Sequence, residues 1–399
     1  MSLVPVEEAI ARAVSGLAPV GVETVPLSAA RGRVLARDLA ARRDQPPQAN
    51  SAMDGYAVRH DDVAAVPARL RIIGSAPAGH PFAGEVGPGQ AVRIFTGGVL
   101  PRGADTIVIQ ENTVADGDHV EVREPAAKGR HVRAHGLDFH AGDVLLPAGL
   151  VLRPRDIALA AAMNHAELPV RRRPRVAILS TGDEVVAPGD PRAGELIVSS
   201  NSYGLMALVE AVGGSAANLG IAPDDAGLIG QTIGACDDAD IIVTLGGASV
   251  GEHDLVRAGL EGALELDFWR IAMRPGKPLM HGRIGRARFL GLPGNPVSAM
   301  VCGQLFLKPM IRRLLGLALD DGALRAEPLG APLPANDERQ DYLRARREIT
   351  ADGPVVIAFE RQDSSMLRRL QQADCFIVRP PHASAAEAGD KVPVLPIDL

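Results

Sequence analysis

Between residues 175 and 320 the chain alternates short apolar runs with segments whose apolar residues recur at helical spacing. The runs are mostly apolar at successive positions, as expected of strands buried on both faces. Buried strands that alternate with helices are typical of a mostly parallel sheet covered on both sides. We therefore predict an α/β domain in three layers, with strands over 176–179, 241–245 and 289–292 and helices over 202–212 and 226–236.

A further helix is predicted over 297–315, directly after the turn Pro293-Gly294-Asn295-Pro296. Asn295 suits the N-cap position and Pro296 the first helical position. The turn carries little side-chain bulk, so the free N–H groups of the helix would point at whatever lies in front of them. Such a helix end favours an anion.

The remaining regions differ in pattern. Residues 1–45 favour a helix and a short extended piece, whereas 46–137 favour short strands between Gly- and Pro-rich turns. Residues 138–172 favour a second helical piece that ends in a basic run, which we interpret as a solvated linker. Residues 323–399 return to a β pattern. These changes predict several domains.

Composition narrows the class of protein. The 399 residues allow two to four domains, and 46% hydrophobic with only 3% aromatic residues predicts aliphatic cores. A net charge of −6 argues against nucleic acid or an anionic membrane as the main partner. No apolar run is long enough to cross a bilayer, and the first ten residues lack the apolar core of a signal peptide. Three widely separated cysteines suit a reducing compartment, so we expect a cytoplasmic protein.

Four loops of small and charged residues follow the strand-like runs of the α/β region: 180–184, 246–254, 274–278 and 293–296. Ligands of open α/β sheets bind outside the carboxyl ends of the strands, so we expect these loops to converge. Gly-rich backbone and a helix N-terminus favour phosphate or another oxyanion.

Basic residues in these loops would add positive charge. Arg274 and Lys277 lie in one loop, and Arg270 lies four residues before Arg274. In a single strand that spacing would place both arginines on the same face.

Acidic residues in the same loops, Asp183, Glu184 and Asp254, would repel an anion unless a divalent cation lay between them. Mg²⁺ binds through one or two carboxylates together with ligand phosphates. The combination predicts a metal-dependent site for a phosphorylated small molecule. A single Gly-Gly pair or a single Asp is more often a turn or a helix cap, and the prediction therefore rests on their joint occurrence.

Two common nucleotide-binding motifs are absent, and two further groups of residues have ordinary structural interpretations. Neither G-x-x-x-x-G-K-[ST] nor a helix-opening G-x-G-x-x-G is present, which argues against a P-loop nucleotidase and a nicotinamide cofactor. Asp54-Gly55 favours a tight hairpin. We interpret His131, His135 and His140 as surface residues rather than metal ligands.

Six motifs occur in the order typical of one family: NSAMDGYAV (50–58), TGGVLPRGADTIVIQE (96–111), STGDE (180–184), GGASVGEHD (246–254), RPGKP (274–278) and LPGNPVSAM (292–300). On these motifs the chain resembles the MoeA-type molybdopterin molybdenumtransferases, a family that includes the C-terminal domain of gephyrin. The resemblance extends over nearly the whole chain.

The resemblance implies an elongated homodimer of four-domain chains with a central α/β molybdopterin-binding domain and β-rich domains. Residues 1–45 and 138–172 would form a helix-rich domain with 46–137 inserted as a β-rich domain. Residues 173–322 would be the molybdopterin-binding domain and 323–399 the C-terminal β domain. The implied activity is insertion of molybdate into adenylylated molybdopterin with release of AMP, with Mg²⁺ involved. Transient contact with the molybdopterin adenylyltransferase and with molybdoenzyme maturation proteins is also implied.

The resemblance further implies the site residues. Asp54 would be offered across the dimer, and the other acidic positions are Asp138, Glu184, Asp224 and Asp254, of which the last three would hold Mg²⁺. The substrate-binding positions are Thr181, Gly182, Gly246, Gly247, Ser249, Arg270, Arg274, Lys277, Pro293, Gly294, Asn295, Pro296, Arg344 and Ser364.

Two departures from the family pattern stand out. Arg270 and Arg274 occupy positions where the family often has lysine, so a planar guanidinium group replaces a compact ammonium group. Residues 362–365 are Gln-Asp-Ser-Ser where the family typically has Gln-Gly-Ser, and Asp363 adds negative charge near an expected anion site.

Two alternative functions remain at the level of sequence. The adenylyltransferase of the same pathway shares the α/β domain, although the large flanking domains argue against it. A non-catalytic scaffold is the other alternative, although it would not need the acidic and basic site positions that are present.

Overall fold

A computed structural model describes residues 3–247, 255–319, 324–351 and 353–397. The chain forms two units: Thr24–Val170, here called the small unit, and Met1–Glu23 together with Arg171–Leu399, here called the large unit. Among the described residues, no helix is both long enough and apolar enough to cross a membrane.

The small unit is built mainly from strands. Its largest sheet has six strands in the spatial order Thr106–Ile109, Gly55–Val58, Gln90–Ile94, Ala68–Ala76, His119–Val122 and Thr113–Asp116. All neighbours pair antiparallel except Ala68–Ala76 with Gln90–Ile94, which are parallel. The shorter strands are Leu39–Ala40, Asn50–Ser51, Val132–Arg133 and Val144–Leu146, and Val22–Pro26 and Glu167–Arg171 span the boundaries of the unit.

One α-helix of the small unit, Pro154–Ala162, follows directly from its local sequence. Pro154 occupies the first helical position, where a missing N–H costs nothing. The Asp156 carboxylate accepts the backbone N–H of Arg153 at 2.9 Å and so closes the first turn. Burial alone would raise the pKa of Asp156, but these bonds from Arg153 outweigh it and lower the pKa. The helix packs on a core that includes Leu35, Leu152, Met163 and Leu168.

The large unit contains the α/β domain that the sequence predicts. Its six strands lie in the order Ser215–Ala222, Arg175–Thr181, Ile241–Leu245, Ala287–Leu292, Met280–Ile284 and Leu264–Trp269. The first four run parallel to one another, and the last two pair antiparallel. The predicted strands are confirmed, whereas the pattern missed Ser215–Ala222 and Met280–Ile284.

Helices cover both faces of this sheet, which confirms the predicted three layers. On one face Ile229, Ile233 and Val256 pack with Ile242 and Phe289 of the strands. Each such fully buried side chain contributes about 1.5–3 kcal/mol. The helices of the large unit are Val6–Val14, Asn201–Ala211, Ala226–Gly234, Leu255–Gly259, Pro296–Cys302, Lys308–Leu314 and Leu367–Gln371, with π-helical Gly303–Leu307 between the fifth and sixth.

A second sheet of the large unit is formed largely by the C-terminal residues. Its order is Met273–Arg274, Gln340–Thr350, Cys375–Arg379, Lys391–Pro396 and Arg325–Pro328, and Gly353–Ala358 pairs with Gln340–Thr350. The two-residue strand Met273–Arg274 pairs parallel with Gln340 and Asp341. The segment that carries the predicted basic residues is therefore part of the C-terminal sheet. Two short strands, Val185–Val186 and Ile197–Val198, pair with each other.

Candidate functional site

The carboxyl ends of the parallel strands open onto a cavity of about 690 Å³ in the large unit. Segments that follow three of these strands line it, together with Pro278 and residues of two further segments. The lining includes Thr181, Glu184, Val198, Ser199, Ser200, Asn201, Gly246, Gly247, Pro293, Gly294, Asn295, Pro296, Ser365 and Leu367. Loops that are far apart in sequence thus meet at one edge of the sheet.

The turn at Pro293–Pro296 is held by backbone contacts. Asn295 occupies the N-cap position and Pro296 begins the helix, but the Asn295 side chain makes no capping hydrogen bond. The Gly294 carbonyl accepts a hydrogen bond from the Asn201 amide at 2.7 Å. The backbone N–H of Val297 donates to the Ser364 carbonyl at 2.9 Å. Because Pro296 has no N–H and Val297 is engaged, the turn offers fewer free donors to an anion than the sequence predicts.

Gly246 and Gly247 are required by close packing at the bottom of the cavity. Their φ angles are +92° and +63°, a region that favours glycine. A Cβ on Gly246 would lie 2.8 Å from the Thr181 carbonyl oxygen, and one on Gly247 would lie 2.6 Å from Val256 Cγ2. The Gly-Gly pair therefore lets this loop lie against the neighbouring strand end while its backbone faces the cavity.

The Glu184 carboxylate folds back over Gly182. Gly182 has a φ angle of +134°, and a Cβ on it would lie 2.6 Å from Glu184 Oε2. Glu184 lies at the cavity wall, and among the described residues of the lining it supplies the acidic side chain.

Asp183 and Asp224 join the loops that follow two neighbouring strands. The backbone N–H of Asp224 donates to Asp183 Oδ1 at 3.1 Å, and that of Asp183 approaches Asp224 Oδ2 at 3.5 Å. Asp224 therefore lies beside the Glu184 loop, outside the cavity lining. Asp254 and Ser249 of the predicted site lie outside the described residues.

The donor set suits a hard cation. Mg²⁺ takes one or two carboxylates and completes its shell with phosphate and water oxygens. Glu184 supplies a carboxylate at the cavity wall, and Asp224 supplies another on the adjoining loop. The chemistry of these residues fits the ion that the resemblance implies.

Arg270 and Arg274 do not share a strand, so their predicted common face is wrong. The strand Leu264–Trp269 ends before Arg270, whose φ angle of +141° breaks the extended backbone. The Arg270 guanidinium lies over the Trp269 ring, 5.5 Å from its centroid. Lys277 is exposed beside Pro278.

Arg274 lines a second cavity, of about 490 Å³, together with Asp341, Gln362 and Arg379. Its guanidinium donates to the Asp341 carboxylate and, at 3.1 Å, to Asp337 Oδ2. Burial raises the pKa of Asp341 although Arg274 opposes the rise. The charge of Arg274 is thus shared with acidic residues next to this second cavity.

Arg344 is buried, with 1% of its surface exposed, and it binds the turn at 362–363. Its Nη1 donates to the Asp363 carbonyl at 2.7 Å. The Asp363 carboxylate accepts hydrogen bonds from the hydroxyl and the backbone N–H of Ser365, which lower its pKa. The aspartate that departs from the family pattern therefore stabilises its own turn. Ser365, rather than the predicted Ser364, lines the cavity.

Comparison with known proteins assigns the chain to a family. Three family models match it in sequence order: the MoeA N-terminal region (domain I and II) over residues 4–164, the probable molybdopterin binding domain over 177–313 and the MoeA C-terminal region (domain IV) over 326–397. A protein of Nostoc sp. named molybdopterin molybdenumtransferase is 42% identical, with 94% of this chain and 89% of that protein covered. The chain belongs to the MoeA family.

Further MoeA relatives agree over the full length. A molybdopterin molybdenumtransferase of Haemophilus influenzae is 33% identical over 95% of each chain. The crystal structure of a molybdopterin biosynthesis MoeA protein from Pyrococcus horikoshii superposes with a TM-score of 0.86 at 30% identity and covers 99% of both chains. The multidomain MoeA fold that the sequence motifs implied is confirmed.

Two of the acidic positions carried over from the MoeA motifs lie in the small unit. Asp54 Oδ1 accepts the backbone N–H of Thr96 at 2.7 Å and the Thr96 hydroxyl at 2.8 Å. These bonds from Thr96 lower the pKa of Asp54. Asp138 is exposed, and its backbone N–H donates to the Gln45 carbonyl at 2.8 Å. Their part in a site stays a prediction.

Several residues that line the cavity are not predicted by the sequence patterns or by the MoeA motifs. Asn201 begins a helix and reaches across to Gly294, which a polar residue at a helix start could have suggested. Ser199 is buried and lies 3.2 Å from Ser180 and 3.1 Å from Ser202, oxygen to oxygen. Leu367 comes from the C-terminal region, and no local pattern indicates that it reaches the cavity.

Proposed function

We propose that this chain acts in molybdenum cofactor biosynthesis as a molybdopterin molybdenumtransferase, which inserts molybdate into adenylylated molybdopterin and releases AMP. The proposal rests on family membership and above all on one observation. Glycine backbone, a helix-opening turn and the Glu184 carboxylate line one cavity at the carboxyl ends of the parallel strands. Such a cavity suits a phosphorylated ligand bound with a divalent cation.

In this proposal some of Glu184, Asp224 and Asp254 would hold Mg²⁺, which would supply Lewis-acid stabilisation of the phosphate charge. The Gly246-Gly247 and Pro293–Pro296 loops supply rigid backbone against which the pterin and its phosphates are oriented. Lys277, which precedes Pro278 of the cavity lining, and Arg270 would supply positive charge for molybdate. Arg344 acts through the turn at 362–363, since its guanidinium is buried there.

The assembly is also part of the proposal. We propose a cytoplasmic homodimer in which Asp54 completes the partner's site, with Asp138 as a further acidic position of the site. The domains would be 1–45 with 138–172, 46–137, 173–322 and 323–399. The molybdopterin adenylyltransferase and the molybdoenzyme maturation proteins would be transient partners.

The deciding experiment uses the purified chain with adenylylated molybdopterin and Mg²⁺. We expect AMP release that depends on added molybdate. Transfer of AMP from ATP to molybdopterin would instead identify an adenylyltransferase. Absence of both reactions in folded protein would favour the scaffold.

The variant Asp254→Ala tests the metal assignment. We expect it to abolish molybdate-dependent AMP release while the unfolding midpoint stays near that of the wild type. Asp238→Ala is the matched control, because Asp238 is an exposed carboxylate paired with Arg175 away from the cavity. Full turnover by Asp254→Ala would show that the metal lies elsewhere.

A further inference from the structure

A group of two histidines and one aspartate comes together in the small unit. His135 Nε2 lies 2.7 Å from Asp44 Oδ2, and His140 Nδ1 lies 3.4 Å from Asp44 Oδ1. The three ligand atoms lie within 4.8 Å of one another. Among the described residues, these three form the group of His, Cys, Asp or Glu side chains whose ligand atoms lie close enough together to hold a metal ion. The sequence alone favours surface residues here, because Gly136 and its neighbours have the pattern of a loop.

The backbone holds Asp44 opposite the loop that carries the histidines. Gln45 donates its N–H to the Phe139 carbonyl at 2.9 Å, and Asp138 donates its N–H back to the Gln45 carbonyl at 2.8 Å. The Asp44 carboxylate also accepts the backbone N–H of Ala141 at 2.7 Å. That bond, with the nearby histidines, holds the pKa of Asp44 below its usual value. The backbone thus orients one ligand toward the histidines.

The two imidazoles are placed by features of the loop itself. Gly136 has a φ angle of +66°, and a Cβ on it would lie 1.9 Å from His140 Cε1. The His140 ring therefore lies directly over bare backbone, which any other residue at 136 would block. The backbone N–H of His140 donates to Asp143 Oδ2 at 2.8 Å, which fixes the start of the turn. The ring centroids of His135 and His140 are 5.9 Å apart.

We propose that Asp44, His135 and His140 bind a divalent first-row transition metal ion of the zinc class. Two imidazole nitrogens and one carboxylate oxygen are the ligands that such ions prefer, whereas Mg²⁺ and Ca²⁺ prefer oxygen alone. Ligand bonds of about 2.0–2.1 Å in a tetrahedron separate neighbouring ligand atoms by about 3.4 Å. The two histidine nitrogens contact different oxygens of Asp44, at 2.7 and 3.4 Å, and the three ligand atoms lie within 4.8 Å of one another, so side-chain rotations would bring them to that spacing.

The surroundings leave room for the rest of the coordination shell. The side chains of His135 and His140 are 52% and 60% exposed, so water can take the remaining position. The ion would link Asp44 to His135 and His140, which lie before and after Asp138 in the sequence. Its expected effect is therefore to make this loop rigid, and this inference does not depend on the proposed function.

The test uses the full chain after treatment with a chelator and dialysis. Zn²⁺ alone is titrated and bound metal is measured by equilibrium dialysis, with Co²⁺ as a second probe whose visible absorption reports its ligands. We expect one tight equivalent of Zn²⁺ and an absorption band for bound Co²⁺. His135→Ala and His140→Ala should each weaken binding by about tenfold or more, since losing even an outer-shell partner costs that much.

Two further variants separate binding from folding. Asp44→Asn keeps an oxygen that can accept the Ala141 N–H but removes the charge, so it should fold and bind Zn²⁺ weakly. His119→Ala is the matched control: His119 Nδ1 lies 2.7 Å from Asp118 Oδ1, the same His–Asp contact without a second histidine. We expect His119→Ala to bind Zn²⁺ like the wild type. If His135→Ala and His140→Ala bind Zn²⁺ as tightly as the wild type, as they would if cysteines held the ion, the proposal is wrong. It is also wrong if His119→Ala weakens Zn²⁺ binding to the same extent as these two variants.

Discussion

Gln362 and Arg344 bind each other in a closed pair. Gln362 Oε1 accepts the backbone N–H of Arg344 at 2.9 Å and its Nε at 3.0 Å, while Gln362 Nε2 donates to the Arg344 carbonyl at 2.9 Å. The same Nε2 also donates to the Phe359 carbonyl at 2.8 Å. One side-chain amide thus joins a buried arginine of the C-terminal sheet to the turn that carries Ser365 to the cavity.

We expect Gln362→Ala to destabilise the chain by about 1–3 kcal/mol, because it leaves buried donors and an acceptor of Arg344 without their partner. The free energy of unfolding in urea measures this change. Molybdate-dependent AMP release should fall as well, because the turn at 362–365 loses its anchor.

Gln372→Ala is the control for this prediction. Gln372 is exposed and accepts a hydrogen bond from Arg369 at 3.1 Å at the protein surface. Water replaces such a bond, so the free energy of unfolding should change by less than about 0.5 kcal/mol. Equal effects of the two substitutions would contradict a structural role for the Gln362–Arg344 pair.

Gly182→Ala should reduce activity by more than its loss of stability explains. The added Cβ would push the Glu184 carboxylate, which is the free end of a flexible side chain, away from its present position. The folded state can absorb that movement, whereas a site that uses Glu184 cannot. The rate of AMP release and the unfolding midpoint, measured on the same preparation, separate the two effects.

Gly189→Ala provides the comparison for Gly182→Ala. Gly189 also has a positive φ angle, +85°, but nothing lies within 4 Å of a Cβ there. Both substitutions carry the backbone strain of a side chain in this region, about 1–3 kcal/mol. If both variants lose activity to the same extent, displacement of Glu184 is not the cause.

The sequence predicts most of the α/β domain because its buried strands are short and apolar, as in Ile241–Leu245. It misses Ser215–Ala222, an edge strand in which exposed and partly buried residues follow no regular order. It also misses Met280–Ile284, which contains His281 and Arg283. Apolar periodicity cannot identify such strands. These segments form strands because they pair with neighbouring strands.

The site is predicted less completely than the fold. The loops at 180–184 and 246–247 and the turn at 293–296 follow strands, so their convergence can be inferred from the topology rule alone. The cluster of Asp44 with His135 and His140 depends on a long-range backbone bridge at Gln45, which no local pattern contains. The spacing argument fails for Arg270 and Arg274, because the strand ends at Trp269.

Asp240 should make the stability of the chain sensitive to acid. Its carboxylate accepts two hydrogen bonds of 2.7 Å from the Arg172 guanidinium and one of 2.8 Å from the backbone N–H of Arg175. Burial alone would raise the pKa of Asp240, but these bonds outweigh it and lower the pKa. The unfolded chain therefore binds a proton more readily than the folded chain. The stabilisation is present above about pH 4 and is lost as the pH falls through the folded pKa.

Asp240→Asn tests this pH dependence. At pH 7 the variant should be less stable by about 1–3 kcal/mol, and the difference from the wild type should shrink as the pH falls below about 4. Urea unfolding at a series of pH values measures both. Asp238→Asn removes a carboxylate whose pair with Arg175 is exposed, so it should show little of either effect. A difference between Asp240→Asn and the wild type that stays constant from pH 7 to pH 3 would contradict the linkage.

Gly230 and Gly234, in the helix Ala226–Gly234, should respond to alanine with opposite signs. A Cβ on Gly230 would lie 2.3 Å from the Gly259 carbonyl oxygen, whereas nothing lies within 4 Å of a Cβ on Gly234. Backbone cannot move aside as a side chain can, so Gly230→Ala should force this helix away from Leu255–Gly259 and destabilise the fold by about 1–3 kcal/mol. Gly234→Ala should stabilise it by about 0.4–1 kcal/mol, because alanine restricts the unfolded chain and suits a helix. Urea unfolding of both variants gives the signs, and stabilisation by both would mean that the two helices are not in backbone contact.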